Sequence, residues 1–259
     1  VARRPSPAVR RARVKRLGHG RTGVALGIIL LLAVGAFGLL NDGEGAQQDP
    51  GTGISQPEPS ALPGAAASPD VTALEMLATI AVKGKAPRTG YDRTEKFGSA
   101  WIDVDGNGCD TRNDILTRDL TQVVFGDNCR VLSGTIDDPY TGEIISFVRG
   151  NTTSTLVQID HVVALSNAWQ TGAQQLSEES RIAFANDPLN LLAVDGSANS
   201  QKGDGDTATW LPQNTTFRCE YVARQVSVKA SYNLWVTTAE HDAMVRVLSR
   251  CPQQATPVG

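Results

Sequence analysis

The longest uninterrupted apolar stretch comes early in the chain. Thr22 to Leu40, TGVALGIILLLAVGAFGLL, runs 19 residues without a charge, just long enough to span a bilayer as a helix. An arginine-rich arm, 1–21, precedes it, and a stretch rich in Gly, Pro, Ala and Ser, 41–69, follows. The arm sets a positive-inside orientation, with the bulk of the chain outside the cytoplasm. The segment reads as a transmembrane anchor or as a cleaved signal peptide. Val34-Gly35-Ala36 offers a small-residue cleavage site, but the apolar run continues through Phe37, Leu39 and Leu40, which favours the anchor. Both readings export the remainder, with 41–69 as a flexible tether.

Beyond the tether the pattern changes to short, mixed segments. Val71 to Val82 carries apolar residues at helical spacing. Gly84 to Gly98 reads as a loop, Trp101 to Val104 as a short strand, and Arg112 to Leu120 as a helical turn or two. In CRVLSGTIDDPYTGEIISFVRG, apolar and polar residues alternate on both sides of Asp138–Gly142, which predicts a hairpin. Leu156 to Ile159 reads as a strand ending at Asp160-His161. Ala164 to Gln170 reads as a helical turn closed by Gly172, and Ser177 caps a helix through Phe184. DPLNLLAV is a turn and then a strand. SANSQKGD opens a helix, Phe217 to Trp235 fits another, and Thr237-x-x-Glu240 is a capping box for a last helix reaching Cys251. The sum is a small α+β domain over 70–253, with Trp169 and Trp210 in its core.

Charge and cysteine usage refine this picture. Residues 70–259 hold 16 basic and 23 acidic residues, a net of −7. Such a body is no general polyanion binder, so any nucleic acid would need a local positive potential or a metal. The four cysteines, Cys109, Cys129, Cys219 and Cys251, all lie beyond the tether. None forms a C-x-x-C pair, which argues against a zinc site. Two disulfides fit an exported domain, with three connectivities open. The sequence-local pairing, Cys109–Cys129 and Cys219–Cys251, is the expected one, each loop contributing about 3 kcal/mol in the chain-entropy model. Asn151-Thr152-Thr153 and Asn214-Thr215-Thr216 match the glycosylation triplet.

Two stretches suggest chemistry. DVDGNGCDTRND, 103–114, begins like a calcium loop. It then fails, with Asp110 where a branched apolar residue is expected and the short Asp114 where a bidentate Glu belongs. It reads better as a turn tied down by Cys109. IDHVVAL, 159–165, places an acid beside an imidazole in an apolar run. Burying either unpaired costs several kcal/mol, on the order of what a domain can spare. Of the three histidines, His19 lies in the arm and His241 reads as a surface residue. His161 is therefore the candidate general base. Asn190, then Asn199 and Lys202, follow in order. Each has an ordinary structural use, as turn residue, helix cap or surface lysine. Together they match the needs of phosphodiester hydrolysis: a base for water, hard oxygen donors for a divalent ion, and a cation for phosphate.

This constellation resembles the HNH, or His-Me finger, endonucleases. IDHVVALSNAWQTGA, FANDPLNLLAV, NSQKGDGDTATWLP and CEYVARQVSVKASYNL resemble the secreted actinobacterial type, related to the C-terminal domain of GmrSD restriction enzymes. The similarity covers roughly 75–251 and includes GCDTRNDIL. It implies a ββα-metal core and cleavage of DNA, with RNA as the alternative, dependent on Mg²⁺ or Mn²⁺. Carried over by position, it makes Asp160 and Asn199 metal ligands, His161 the general base and Asn190 a scaffold residue holding the His161 loop. Lys202 would hold a phosphate oxygen, and Arg112 and Lys229 are further candidates for phosphate contact. Asn199 stands where the family name has its last histidine. Partners are then nucleic acid and, through 22–40, a membrane; no protein partner is implied. The alternatives are a catalytically inactive HNH-like fold and a calcium-stabilised extracellular binding module.

Overall fold

Strand β4, Val157–His161, pairs antiparallel with β5, Leu191–Asp195, and puts His161 opposite Leu191 and Asp160 opposite Leu192. These contacts come from a computed structural model that describes residues 71–257. The basic arm, the apolar segment 22–40 and the linker 41–69 lie outside the described residues. Among the described residues no helix is long and apolar enough to cross a membrane.

Helix α6, Gly196–Lys202, leaves β5 without an intervening loop, so the paired strands and this helix form a β-β-α unit, with the helical stretch 162–190 inserted between the two strands. Asp195 caps it, its carboxylate accepting from the Ala198 amide at 2.7 Å, as expected of an N-cap acid. The corner is tight. The Gly196 amide donates to Leu156 O at 2.9 Å. A Cβ built on Gly196 would stand 2.0 Å from Thr155 O, so only glycine fits this close approach of two backbones.

The predicted hairpin forms from β2, Val131–Asp137, and β3, Ile144–Val148. Beside it lies β1, Thr121–Phe125, which the sequence pattern did not announce. Its residues are mostly exposed, so it lacks the alternation that marks a half-buried strand. At the tip, Asp138 accepts from the Thr141 amide at 2.7 Å and, through its other oxygen, from the Asp195 amide at 2.8 Å. That second bond ties the hairpin tip to the β5–α6 corner.

The helices surround these two sheets. They are α1, Ala73–Leu77; α2, Arg93–Phe97; α3, Thr111–Asp119; α4, Leu165–Gln170; α5, Glu178–Asn186; α7, Arg218–Ser231; and α8, Thr238–Leu248. Helix α7 buries Tyr221, Val222 and Val226 against Leu77 of α1, Met244 and Leu248 of α8, and Val162 and Leu192 beside the paired strands. A second core gathers Phe97, Trp169 and Phe184, and a third lies between α3 and the strands. Trp169 is core as predicted, and Trp210 packs on Tyr140 at 4.9 Å between ring centres. Helix α8 opens on the predicted capping box, and Glu240 also meets Lys229 of α7 at 2.9 Å in a fully buried ion pair. Lys229 is therefore a structural residue, enclosed too deeply to reach a phosphate.

The cysteines pair as expected, Cys109–Cys129 and Cys219–Cys251. Three local expectations need correction. Helix α1 stops at Leu77, because Ala81 to Lys83 peel away to hydrogen-bond Val236. Trp101–Val104 is not a strand: Trp101 has φ 60°, and Asp103 turns to accept from the amides of Gly106, Asn107 and Gly108. The 84–98 loop contains α2, capped by Asp92, whose carboxylate accepts from Glu95 N at 2.7 Å.

The Gly196 corner generates a prediction. Gly196→Ala forces two backbone segments apart, and overpacking of this kind costs about 1–3 kcal/mol. Urea unfolding followed by circular dichroism should show the loss, whereas alanine at exposed Gly84, which meets nothing within 4 Å, should not.

Candidate active site

Side chains alternate along a strand, so Gln158 and Asp160 face one way from β4. On α6, Asn199 and Lys202 are three residues apart and share a helix face. The two faces meet. Asn199 Nδ2 donates to Gln158 Oε1 at 2.8 Å, and Lys202 Nζ donates to Asp160 Oδ1 at 3.0 Å and to His161 O at 2.8 Å. The Asn199 amide is thereby oriented, and its Oδ1 accepts no hydrogen bond among the described residues.

Asp160 is buried, and its other oxygen accepts from the Tyr140 hydroxyl at 2.5 Å. Burial raises the Asp160 carboxyl above the ordinary carboxylate value, while the Lys202 ammonium and the Tyr140 hydroxyl pull it back down. Tyr140 comes from the hairpin tip and is fully enclosed among Trp210, Phe217 and Tyr221. Burial and the neighbouring Asp160 push its phenol well above the usual tyrosine range, so it stays a donor. Sequence reasoning placed Tyr140 in a turn and gave it no task. The available signal was a large aromatic inside a polar turn, which has to be buried somewhere.

His161 is 7% exposed and its ring lies roughly parallel to that of Trp101, 6.3 Å away. Its Nε2 sits 2.8 Å from the carbonyl of Ala185, in the last turn of α5. A carbonyl can only accept, so Nε2 carries the proton and the Nδ1 lone pair is left unprotonated. Desolvation lowers the imidazole pKa to about 3, with the Ala185 bond opposing, so the ring is neutral. Asn190 is buried beside it. Its Oδ1 accepts from Val163 N at 2.8 Å, its Nδ2 donates to Val163 O at 3.3 Å, and its carbonyl accepts from Val162 N at 2.8 Å. These bonds clip the loop that follows His161 onto the start of β5.

The sequence-derived residues therefore divide. Asp160, His161 and Asn199 line one cleft of about 300 Å³, together with Tyr91, Arg93, Ser166 and Asp204. Asn190 and Lys202 lie behind it, both buried. Lys202 is not placed to hold a phosphate oxygen as expected, because its ammonium is committed to Asp160 and to a carbonyl. Arg112 is also turned inward, toward Val157 O at 3.3 Å. The 103–114 loop bonds mainly to itself: Asp105 accepts from Asn107 Nδ2 at 3.0 Å, and Asn107 Oδ1 accepts from Cys109 N at 2.7 Å. Among the described residues no group of three or more His, Cys, Asp and Glu side chains converges as a metal cage.

Removing one partner of a buried ion pair strands the other, typically at a cost of about 3–5 kcal/mol. Lys202→Met should lose stability on that scale in urea unfolding. Adding Asp160→Asn, which neutralises the stranded carboxylate, should recover part of the loss.

Residues 110–247, more than half of the chain, match the family model described as GmrSD restriction endonucleases, C-terminal domain. That stretch contains Asp160, His161, Asn190, Asn199, Lys202 and Tyr140. The chain is also similar to a protein of Arthroderma benhamiae described as an uncharacterized secreted protein. The two are 37% identical over 197 residues, which is 75% of this chain and 90% of the relative. No solved structure matches the chain. The comparisons bear on family and leave an actinobacterial origin aside. With the β-β-α order, the Asp160-His161 strand end and Asn199 all inside the matched stretch, the chain belongs to the family of the GmrSD restriction endonuclease C-terminal domain.

Proposed function

We propose that this protein is a divalent-metal-dependent HNH endonuclease that hydrolyses phosphodiester bonds of DNA outside the cytoplasm. The observation that carries the reading is the orientation of His161. Its Nε2 is held by the Ala185 carbonyl at 2.8 Å, which leaves Nδ1 unprotonated on a ring that lines a cleft with Asp160 and Asn199. The β4-β5-α6 unit corresponds to the ββα-metal core in this reading. The exported location draws on the basic arm and apolar segment of the sequence, and on the secreted relative.

The donor set fits magnesium or manganese. Mg²⁺ takes oxygen ligands and keeps several of its waters, so one carboxylate and one amide oxygen suffice. Asp160 Oδ1 accepts from Lys202 and Oδ2 from Tyr140, and a carboxylate has lone-pair capacity beyond these for an ion. Asn199 Oδ1 is the second donor. When bound there, the ion neutralises charge at the scissile phosphate and on the leaving oxygen.

The chain's own residues do the rest. His161 Nδ1 takes a proton from water, and that water attacks phosphorus. Asn190 acts through His161, fixing the loop that carries the imidazole. Lys202 and Tyr140 act through Asp160, holding its carboxylate against α6. The products are a 5′-phosphate and a 3′-hydroxyl.

A plasmid-nicking assay on the oxidised protein tests this. Supercoiled DNA should be nicked with Mg²⁺ and spared with EDTA. His161→Ala should lower the rate by about 10²-fold or more, the scale of a general base, while keeping the far-UV dichroism of the wild type. Nicking at the wild-type rate by that variant would remove His161 from the mechanism. A labelled RNA run in parallel reads the substrate preference.

A further inference from the structure

Attack on a phosphodiester adds negative charge to a group that is already an anion, and enzymes meet that charge with positioned cations. In this cleft the lysine expected to serve is spent. Lys202 is enclosed and paired with Asp160 at 3.0 Å, so the two charges cancel. Arg88 on the neighbouring loop pairs with Asp204 at 3.7 Å, and Lys85 pairs with Asp206 at 3.1 Å. Arg93 is different. It lines the cleft with Asp160, His161 and Asn199, and also lines the small crevice on the Trp101 side of the imidazole. Among the described residues it makes no ion pair and no side-chain hydrogen bond. Its acidic neighbours are committed elsewhere: Asp92 caps α2 at 2.7 Å, and Glu95 pairs with Lys96 at 2.5 Å.

The backbone beneath Arg93 is firmly placed, although α2 is only a few residues long. Phe97 is buried, 6.1 Å from Phe184 and 6.4 Å from Trp169 between ring centres. The Lys96 carbonyl accepts from Arg181 Nε at 2.7 Å. Tyr91 packs on both Phe97 and Trp169 at 6.3 Å. The guanidinium is thus carried on a fixed base with no competing partner, and its planar fork matches two phosphate oxygens at once.

We propose that Arg93 grips the scissile phosphate of this cleft, its guanidinium donating to the non-bridging oxygens of the diester under attack. The proposal rests on the nuclease reading above. In the step it serves, the water oxygen bonds to phosphorus and its proton passes to His161 Nδ1. The bond from phosphorus to the 3′ oxygen breaks, and that oxygen takes a proton from bulk water. Arg93 keeps its proton throughout and forms no covalent bond. Arg93 lies outside the matched stretch 110–247, so this assignment adds to the residues that the family match covers.

The test compares Arg93→Ala, Arg93→Lys and Arg250→Ala in the full chain, on plasmid and on bis(4-nitrophenyl) phosphate, with Mg²⁺. Arg250→Ala removes one positive charge from an exposed position after α8 and controls for net charge. Arg93→Ala should lower kcat/KM by about 10²-fold on both substrates, on the scale of losing one oxyanion donor. Arg93→Lys should recover only part of this, because a point charge replaces a fork, and Arg250→Ala should match the wild type. In a His161→Ala background, Arg93→Ala should reduce the salt slope of DNA binding by about 1, as for one lost phosphate contact. The proposal is overturned if Arg93→Ala cleaves plasmid as the wild type does, or if its deficit vanishes on the small diester, which would place Arg93 on a flanking phosphate. A wild-type protein that nicks nothing with Mg²⁺ would sink the nuclease reading and this proposal together. Wild-type nicking with an unaffected Arg93→Ala sinks the proposal alone.

Discussion

Three distant parts of the chain meet at the Asp160 carboxylate. Strand β4 supplies the acid, the end of α6 supplies Lys202, and the β2–β3 hairpin tip supplies Tyr140. Removing a carboxylate from water costs several kcal/mol even after relaxation, and the cost is met only if partners are well placed. Any arrangement that separates α6 or the hairpin tip from β4 therefore leaves a buried charge uncompensated. The three-stranded sheet lines no part of the cleft, yet its tip is bonded to it twice, through Tyr140 to Asp160 and through Asp138 to the Asp195 amide. The sheet works as a brace on the corner from which Asn199 projects.

For the proposed nuclease, the same contact bears on how an acidic domain accommodates a polyanion. With Asp160 cancelled by Lys202 and His161 neutral, the floor of the cleft carries little net charge. A phosphate approaching it does not meet the negative field that the composition of the body suggests. Long-range attraction is weak in such a protein, so affinity rests on a few close contacts. In that proposal the burden falls on oriented groups, of which the Nε2-tethered imidazole and the Gln158-tethered amide are two.

What could be read from the sequence were features with a local signature. Asp160-His161 stood out as two ionisable groups in an apolar run, the Thr237 capping box opened α8, and alternation around Asp138–Gly142 marked the hairpin. What could not be read depends on distant partners or very short elements. Lys202 passes for a phosphate ligand until Asp160, 42 positions away, is seen beneath it. Lys229 likewise passes for a surface cation until α8 folds over it. Tyr140 looks like a turn residue because its neighbours are turn residues. Arg93 sits on a helix too short to show periodicity, in a stretch rich in loop formers. Trp101 looks like a strand residue by composition, but Asp103, two positions on, gathers three amides and forces a turn. β-propensity is a weak prior against such side-chain bonds.

The two margins of the described domain are fastened to each other. Thr72 bridges Ala255, the Ala73 amide reaches Gln254 O at 2.8 Å, and Cys251, a few residues back, is bonded to Cys219 inside the first turn of α7. Domain margins are where structure usually frays. Here an opening that started at the 252–257 margin would meet the covalent link to α7 before it reached α8. Resistance to fraying is thus built into the seam where the two margins join.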